Sequence, residues 1–323
     1  MPVIVNDSGK AISISSALSS YDVSLRTEAF LATSLDSMDS PESPLTSTTC
    51  VVCLQGETTI LCLKRTIETT RDESGPFFVG SIEATTCVIA LCWVKSLDSD
   101  SELKSAALAS HIACLRDAKE FSNHIQSFSA LIPGAGNSLD HAIEISLFGA
   151  FDPSGHESSR GIVEEIFKSV SHLNVKLMVS SVWDTNTTFD SIRRVAIPRI
   201  TAAAIDVRSG KLQGSSTSSK LYQGYIPLEL ERRSKSTWSD EYLTLLTTCF
   251  CGDQQIESSL LSSLSADVNL NVDVKTLQWL LAMPDIDLLH KISTSPDAEE
   301  SSFIHTQRKV MQFLIDRERS RQR

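Results

Sequence analysis

The sequence predicts an α/β domain, and three observations carry that expectation. Residues 84–94 and 106–115 are compact apolar runs rich in Cys, Val, Ile and Ala, the pattern of strands buried on both faces. Helical and extended signals then alternate. Ala118, Phe121, Ile125 and Phe128 recur at helical spacing, and residues 142–151 alternate like a strand that ends at Gly149 and Asp152-Pro153. Residues 161–173 return to a helix with Ile162, Val163, Ile166, Phe167 and Val170 on one face. Finally, 323 residues with 41% hydrophobic and 21% charged positions supply a large core.

The remaining elements follow from local chemistry. Residues 1–48 are rich in Ser and Thr and carry Pro41 and Pro44, so they read as an irregular leader packed on the domain, with one short strand at 3–5. Residues 49–65 read as a β-hairpin turning at Gly56, and 77–80 as a short extended piece. Strands are expected at 175–183 and 200–207, with Ser209-Gly210-Lys211 as a turn. The Ser/Thr run at 215–219 reads as a surface loop, and residues 240–264, 274–281 and 302–319 as helices. The organisation expected is a leader over 1–48 and a single elaborated domain over 49–323.

Charge removes several function classes. Twenty-nine Lys and Arg stand against 40 Asp and Glu, a net charge of −11 spread along the chain, which argues against a reader of nucleic-acid phosphates. The basic cluster at 317–323 reads as a frayed helix end. The uncharged stretch 121–139 is broken by His124, Gln126, Pro133 and Gly134, so no membrane partner is expected and the cytosol or nucleus is the expected compartment. With no secretory signal, the eight Cys read as free thiols. A monomer is expected.

Among those thiols Cys87 is distinctive, because it follows Ala84-Thr85-Thr86 and opens an apolar strand, where a sulfur can face a cleft. A thiol is a strong nucleophile only as thiolate, so it needs a base or a positive neighbour. By residue type alone, a Cys in an apolar run equally serves as a small buried side chain. Cys50 and Cys53 form a C-x-x-C pair, but no second pair or His stands at a zinc-ligand interval, and no metal is expected. His111 lies inside an apolar run, as a base for Cys87 or as a core His with one satisfied hydrogen bond. Glu299 follows Ser293-Thr294-Ser295-Pro296, where it reads by itself as a carboxylate at a helix N-terminus. Nucleotide loops, a nucleophile-elbow Ser and a zinc-protease helix are lacking.

At Ser81-Ile82-Glu83-Ala84-Thr85-Thr86-Cys87 the sequence resembles the protein N-terminal asparagine amidohydrolases, whose nucleophilic Cys closes an Ala-Thr-Thr-Cys motif. The resemblance continues through Ser127-Phe128-Ser129 and Ile143-Glu144-Ile145 to Gly149 and Phe151. It ends at Ser293-Thr294-Ser295-Pro296-Asp297-Ala298-Glu299, and Met1-Pro2-Val3 is similar to the family's start. It spans about residues 75–315 and implies an α/β layered, α-β-β sandwich-like domain of the cysteine deamidase type, with Cys at a strand end and His on the neighbouring strand.

Carried over residue by residue, the resemblance implies that Cys87 is the nucleophile, His111 the base and Glu299 the anchor of a substrate α-ammonium. Pro2, free once Met1 is removed, is implied to line the pocket together with Thr86, Gly149, Ser293 and Ser295. Val88 departs from the family pattern, in which His follows the Cys. The activity implied is deamidation of N-terminal Asn in the N-degron pathway, without a cofactor, on proteins or peptides with a free N-terminal Asn. Two alternatives stand beside it: a deamidase of internal Gln, which uses the same Cys and His without requiring a free substrate amine, and a non-catalytic binder of peptide N-termini, which Val88 keeps open.

Overall fold

Apolar runs that one sheet face cannot bury sort into two sheets and a helical layer. The structure is a computed structural model describing residues 2–5, 11–13, 44–46, 50–65, 77–132, 143–151, 157–170, 173, 175–182, 186–223, 246–250, 273–293, 295–300 and 302–321. In chain order it begins with strands β1 (Pro2–Val5), β2 (Ala11–Ser13), β3 (Leu45–Thr46), β4 (Cys50–Cys53), β5 (Thr58–Lys64), β6 (Phe78–Ser81), β7 (Val88–Lys95) and β8 (Leu103–Ile112). Helix α1 (Leu115–Leu131), β9 (Ile143–Gly149), α2 (Glu157–Ser169) and β10 (Val175–Val182) form the alternating middle. Then come β11 (Thr187–Asp190), β12 (Val195–Pro198), β13 (Ala202–Asp206), β14 (Leu212–Ser215), the single turn α3 (Ser218–Leu221), β15 (Tyr222–Gln223) and β16 (Leu246–Phe250). Helices α4 (Val274–Leu281), α5 (Asp285–Ile292) and α6 (Phe303–Arg321) follow.

The main sheet has eight strands in the order β16-β5-β8-β7-β9-β10-β1-β2, and a second has four in the order β14-β13-β6-β4. Strand β7 is central, antiparallel to both β8 and β9, with Val88 opposite Ile112 on one side and Gly149 on the other. Its alternate residues serve two cores. Val88, Ala90, Cys92 and Val94 join Leu108, Ile112, Ile145 and Leu147 beneath Phe121, Ile125 and Phe128 of α1 and Ile162 and Ile166 of α2. Ile89 and Leu91 join Leu61, Ala109 and Phe148 against Val79, Ala203 and Ile205 of the second sheet. Burial on both faces is why 84–94 and 106–115 read as continuous apolar runs. The α-β-β layering is therefore present, in a mixed α/β fold.

Close approach within the second sheet sets one residue. A Cβ on Gly80 would strike the backbone of Ala203 and Ala204, its partners on β13. Helices α4 to α6 build a smaller cluster from Leu277, Leu280, Leu288, Val310, Met311, Leu314 and Ile315. Arg308 holds it together at the α4–α5 corner. Its guanidinium donates to the Leu281 and Met283 carbonyl oxygens, both at 2.6 Å, and to the Asp285 carboxylate at 2.6 Å.

Several expectations are corrected. Residues 49–65 do form two strands, but not a hairpin: β4 pairs with β6 in the small sheet and β5 with β8 and β16 in the large one. The Gly56 turn, at φ +76°, thus crosses between layers. Residues 84–87 are not strand, since β7 starts at Val88, and Leu115 opens a helix instead of closing β8. Within 240–264, expected to be helical, Leu246–Phe250 is a strand paired with β5, and the rest lies outside the described residues. Among the described leader residues three strands are present where one was expected, and the Ser/Thr loop at 215–219 is β14's end followed by a helical turn.

Gly80→Ala is expected to destabilise the domain by about 1–3 kcal/mol, because the added methyl meets backbone that no rotamer change can move. The midpoint of urea unfolding measures this, and an unchanged midpoint would show that the sheets have slack here.

Candidate active site

Between β6 and β7 the chain leaves the second sheet and enters the first, and this crossing builds the site. Glu83 takes a positive φ of 62°, Ala84 N–H donates to the Thr201 carbonyl at 2.8 Å, and residues 85–87 bend before β7 begins. The bend is held by its carbonyl oxygens. Thr85 accepts from Phe151 N–H at 2.9 Å, Thr86 from the Ser159 hydroxyl at 3.3 Å, and Cys87 from Ala150 N–H at 2.6 Å. Gly149 is where this contact needs a glycine. Its φ of +96° disfavours a side chain, and a Cβ there would run into the Cys87 carbonyl oxygen. Asn186, fully buried, donates to the carbonyl oxygens of Gly149 and Ile200 and accepts from Ile200 N–H at 2.8 Å, tying β9 to the segment before β13.

Cys87 packs against the inter-sheet core and is only partly exposed. Continuing the register one step beyond Val88 and Ile112 sets it opposite Ala113, diagonal to His111, which pairs with Ile89. Cys87 and His111 therefore share the face toward the second sheet, and diagonal neighbours stand roughly 7–8 Å apart at Cα, within reach of an imidazole. His111 is almost fully buried. Its backbone is clamped by the Gly56 turn, which donates from Gly56 N–H to His111 O and accepts from His111 N–H at Glu57 O, each at 2.9 Å.

The imidazole's tautomer follows from a count of protons. The Ser81 hydroxyl donates its single proton to the Cys53 carbonyl at 2.8 Å, so at its 2.8 Å contact with His111 Nδ1 it accepts. The ring thus carries its proton on Nδ1 and its lone pair on Nε2, the nitrogen that can accept a proton.

The C-terminal block supplies the carboxylate. Ser293 ends α5, Ser295 precedes the single 3-10 turn Pro296–Ala298, and Glu299 follows it. Glu299 Oε1 accepts from the Ser293 hydroxyl at 2.6 Å, with Ser295 Oγ at 3.5 Å, while Ser293 Oγ accepts from Ser295 N–H at 3.0 Å. Glu299 is thus no cap on α6, the alternative its sequence context allowed. Arg193 in the β11–β12 turn donates to the Asp297 carbonyl at 3.2 Å, and Thr201 Oγ1 meets Glu300 at 3.5 Å, docking this block beside the crossing.

Electrostatics join the pieces. Burial pushes the Cys87 thiol up to about 12, the negative charges of Asp117 and Glu299 push the same way, and a hydrogen bond from Thr86 opposes them. Cys87 at rest is a thiol. Glu299 is raised above the usual carboxylate range, first by burial and then by Glu83 and Glu300, against the lowering hydrogen bonds of Ser293 and Ser295.

Among the expected site residues, Thr86, Cys87 and Gly149 meet at the bend, His111 lies on the strand paired with β7, and Ser293, Ser295 and Glu299 form one hydrogen-bonded block whose carboxylate acts electrostatically on Cys87. Pro2 is set apart. Strand β1 runs parallel to β10 with Ile4 opposite Lys176, while Val182 is opposite Gly149, so Pro2 begins its strand at the far end of the sheet. Counted from Pro2, two residues before Ile4, that is about eight residues, roughly 26 Å along the strands at about 3.3 Å per residue. Ser81, Asp117 and Asn186 belong to the site without having been singled out. Ser81 at least lies in the Ser81–Cys87 motif, whereas a lone Asp and a lone Asn carry no sequence signal.

Gly149→Ala is expected to remove activity and to lower the thermal midpoint, because the methyl group separates the end of β9 from the Cys87 carbonyl. Retained turnover with an unchanged midpoint would show that the 85–87 bend does not depend on this contact.

A family model described as protein N-terminal asparagine amidohydrolase matches residues 54–323, covering the crossing, His111, Gly149 and the Ser293–Glu299 block. No curated protein sequence matches the chain. The match extends over most of the 323 residues, so the chain belongs to the protein N-terminal asparagine amidohydrolase family.

Proposed function

We propose that the chain converts the N-terminal Asn of proteins and peptides to Asp, with release of ammonia, through a thioester on Cys87. The observation that supports this best is the convergence, at the start of β7, of a thiol, an imidazole of defined tautomer and a carboxylate from a distant segment. His111 Nε2 takes the Cys87 proton as sulfur attacks the side-chain carboxamide carbon, forming the S–C bond and a tetrahedral oxyanion. As the C–N bond breaks, the imidazolium returns its proton to the departing nitrogen, which leaves as ammonia. Water then gives a proton to the same imidazole while its oxygen attacks the thioester. Collapse breaks the S–C bond, re-forms the thiol and leaves the N-terminal Asp.

A thiol held as high as Cys87 argues for this concerted transfer over a standing thiolate. The oxyanion is assigned to the Thr86 and Cys87 N–H groups. The carbonyls preceding them point at Phe151 and Ser159, and planar trans peptides aim each N–H the opposite way. Glu299 holds the α-ammonium and fixes its distance from the reacting carbon. That anchor is needed, because the extra methylene of Gln is worth only about 10–200-fold in an apolar pocket. A free thiol of this kind suits a reducing compartment, the cytosol or nucleus. Turning a terminal Asn into Asp changes a degradation signal, which places the activity in the N-degron pathway, upstream of arginylation.

Ammonia release from peptides with free N-terminal Asn, acetylated Asn and internal Gln tests the proposal. Release is expected from the first alone and is expected to vanish in Cys87→Ala. Equal release from acetyl-Asn would remove Glu299 as the anchor, and release from internal Gln would favour the broader deamidase. kcat/KM is expected to follow a bell. It falls on the acid side as pH drops through the raised Glu299 value, because protonation removes the charge that binds the amine. It falls on the alkaline side near about pH 8, where a peptide α-amine loses its proton. Ser81→Ala is expected to lower kcat at least about tenfold with little change in KM, since the wrong imidazole tautomer cannot accept the thiol proton, and Ser81→Thr to restore it. An unaltered kcat in Ser81→Ala would mean that Ser81 does not set the tautomer.

A further inference from the structure

Helix α1 begins at Leu115, directly after Ala113 and Cys114, and its first turn carries Asp117. This carboxylate is 4% exposed. Oδ2 is used for capping, since it accepts from Ala113 N–H at 3.0 Å. Oδ1 is buried and finds no hydrogen-bond donor among the described residues. A favourable helix dipole accounts for an acid in this turn, but not for a carboxylate oxygen taken out of water and left unmatched, which costs free energy until a donor arrives. Asp117 also lies within electrostatic reach of the Cys87 sulfur, on which it acts more strongly than Glu299 does.

Around its reacting carbon an N-terminal Asn has two nitrogens that donate hydrogen bonds, the α-ammonium and the carboxamide NH2. Two carboxylates from separate parts of the chain, Asp117 and Glu299, act electrostatically on the sulfur. Resting on the proposed function and deepening it, we infer that Asp117 Oδ1 accepts a hydrogen bond from the substrate's carboxamide NH2, so that Asp117 selects amide over acid and rejects the product. In the Michaelis complex the NH2 supplies the missing donor. As the C–N bond breaks, the same oxygen keeps a hydrogen bond to the departing ammonia. Once the thioester is hydrolysed, the new Asp carboxylate faces Asp117 with no proton between them, and like charges disfavour its retention.

Asp117 thereby does two opposed things. It orients the amide, and it holds the sulfur back from ionising, together with Glu299 and against the Thr86 hydrogen bond. Asp117→Asn separates them, because its carbonyl keeps the Ala113 cap while its NH2 replaces the acceptor with a donor. Removing the negative charge lowers the thiol toward its ordinary range.

Binding of an Asn-initiated peptide and its Asp-initiated product to the Cys87→Ala protein, by calorimetry at neutral pH, tests the assignment without an Asp117 variant. The Asn peptide is expected to bind at least tenfold tighter, and equal affinities would overturn the role. Asp117→Asn on the Cys87→Ala background is then expected to reverse the preference. In the presence of Cys87, Asp117→Asn is expected to react faster with iodoacetamide at Cys87 while releasing ammonia at least tenfold more slowly. A variant whose turnover falls while the Asn-to-Asp affinity ratio and the alkylation rate stay as they were would reduce Asp117 to a helix cap. If the unsubstituted protein releases no ammonia from any Asn-initiated peptide, the proposed function falls and this role with it. If it does release ammonia while the two peptides bind equally, the role of Asp117 falls alone.

Discussion

Three carbonyl oxygens at the 85–87 bend, and the absence of a side chain at Gly149, hold the rest of the site in place. Ala150 and Phe151 donate to the Cys87 and Thr85 carbonyls only because the end of β9 lies against the bend, and a methyl group at Gly149 would keep it away. From this contact the sulfur inherits its direction, and the paired register of β7 with β8 then determines which imidazole it shares a face with. Asn186 ties the same β9 terminus to the strand that follows Ile200. Cys87 is therefore held by backbone groups of the β9 end and, through the Ser159 hydroxyl on the Thr86 carbonyl, by the first turn of α2.

The surroundings of that sulfur are acidic and dry, the opposite of what lowers a thiol. Burial, Asp117 and Glu299 all push it toward the protonated form. The same charges suit a cationic peptide terminus. In the proposed reaction, an ammonium beside Glu299 offsets the local negative potential as the thiol gives up its proton. The net charge of −11, uninformative when spread over the whole chain, has a local counterpart here.

Much of the fold was legible in the sequence. Helical spacing located α1 through Ala118, Phe121, Ile125 and Phe128, and doubly buried strands announced themselves at β7 and β8. Pairing was less legible. Residues 49–65 and 246–250 show apolar and β-branched side chains, but nothing in the run says which sheet edge they join. The hairpin expected at Gly56 became a crossing between layers because the Glu57 and Gly56 backbone pairs with His111. In the site, Cys87 and the Ser293–Glu299 block were visible because they sit in contiguous motifs. Ser81, Asp117 and Asn186 were not, because a Ser, an Asp or an Asn acquires its role from a neighbour distant in sequence.

By itself, then, the sequence determined most of the element types, the two-sided burial of the central strands and the family, since these depend on spacing and on short contiguous motifs. Only the tertiary structure decided the partition of strands between two sheets, the tautomer of His111, the separation of Pro2 from the site and the presence of Asp117 beside Cys87. Each of those is a relation between groups that the chain brings together only on folding, through hydrogen-bond registers and excluded volume that no local pattern encodes.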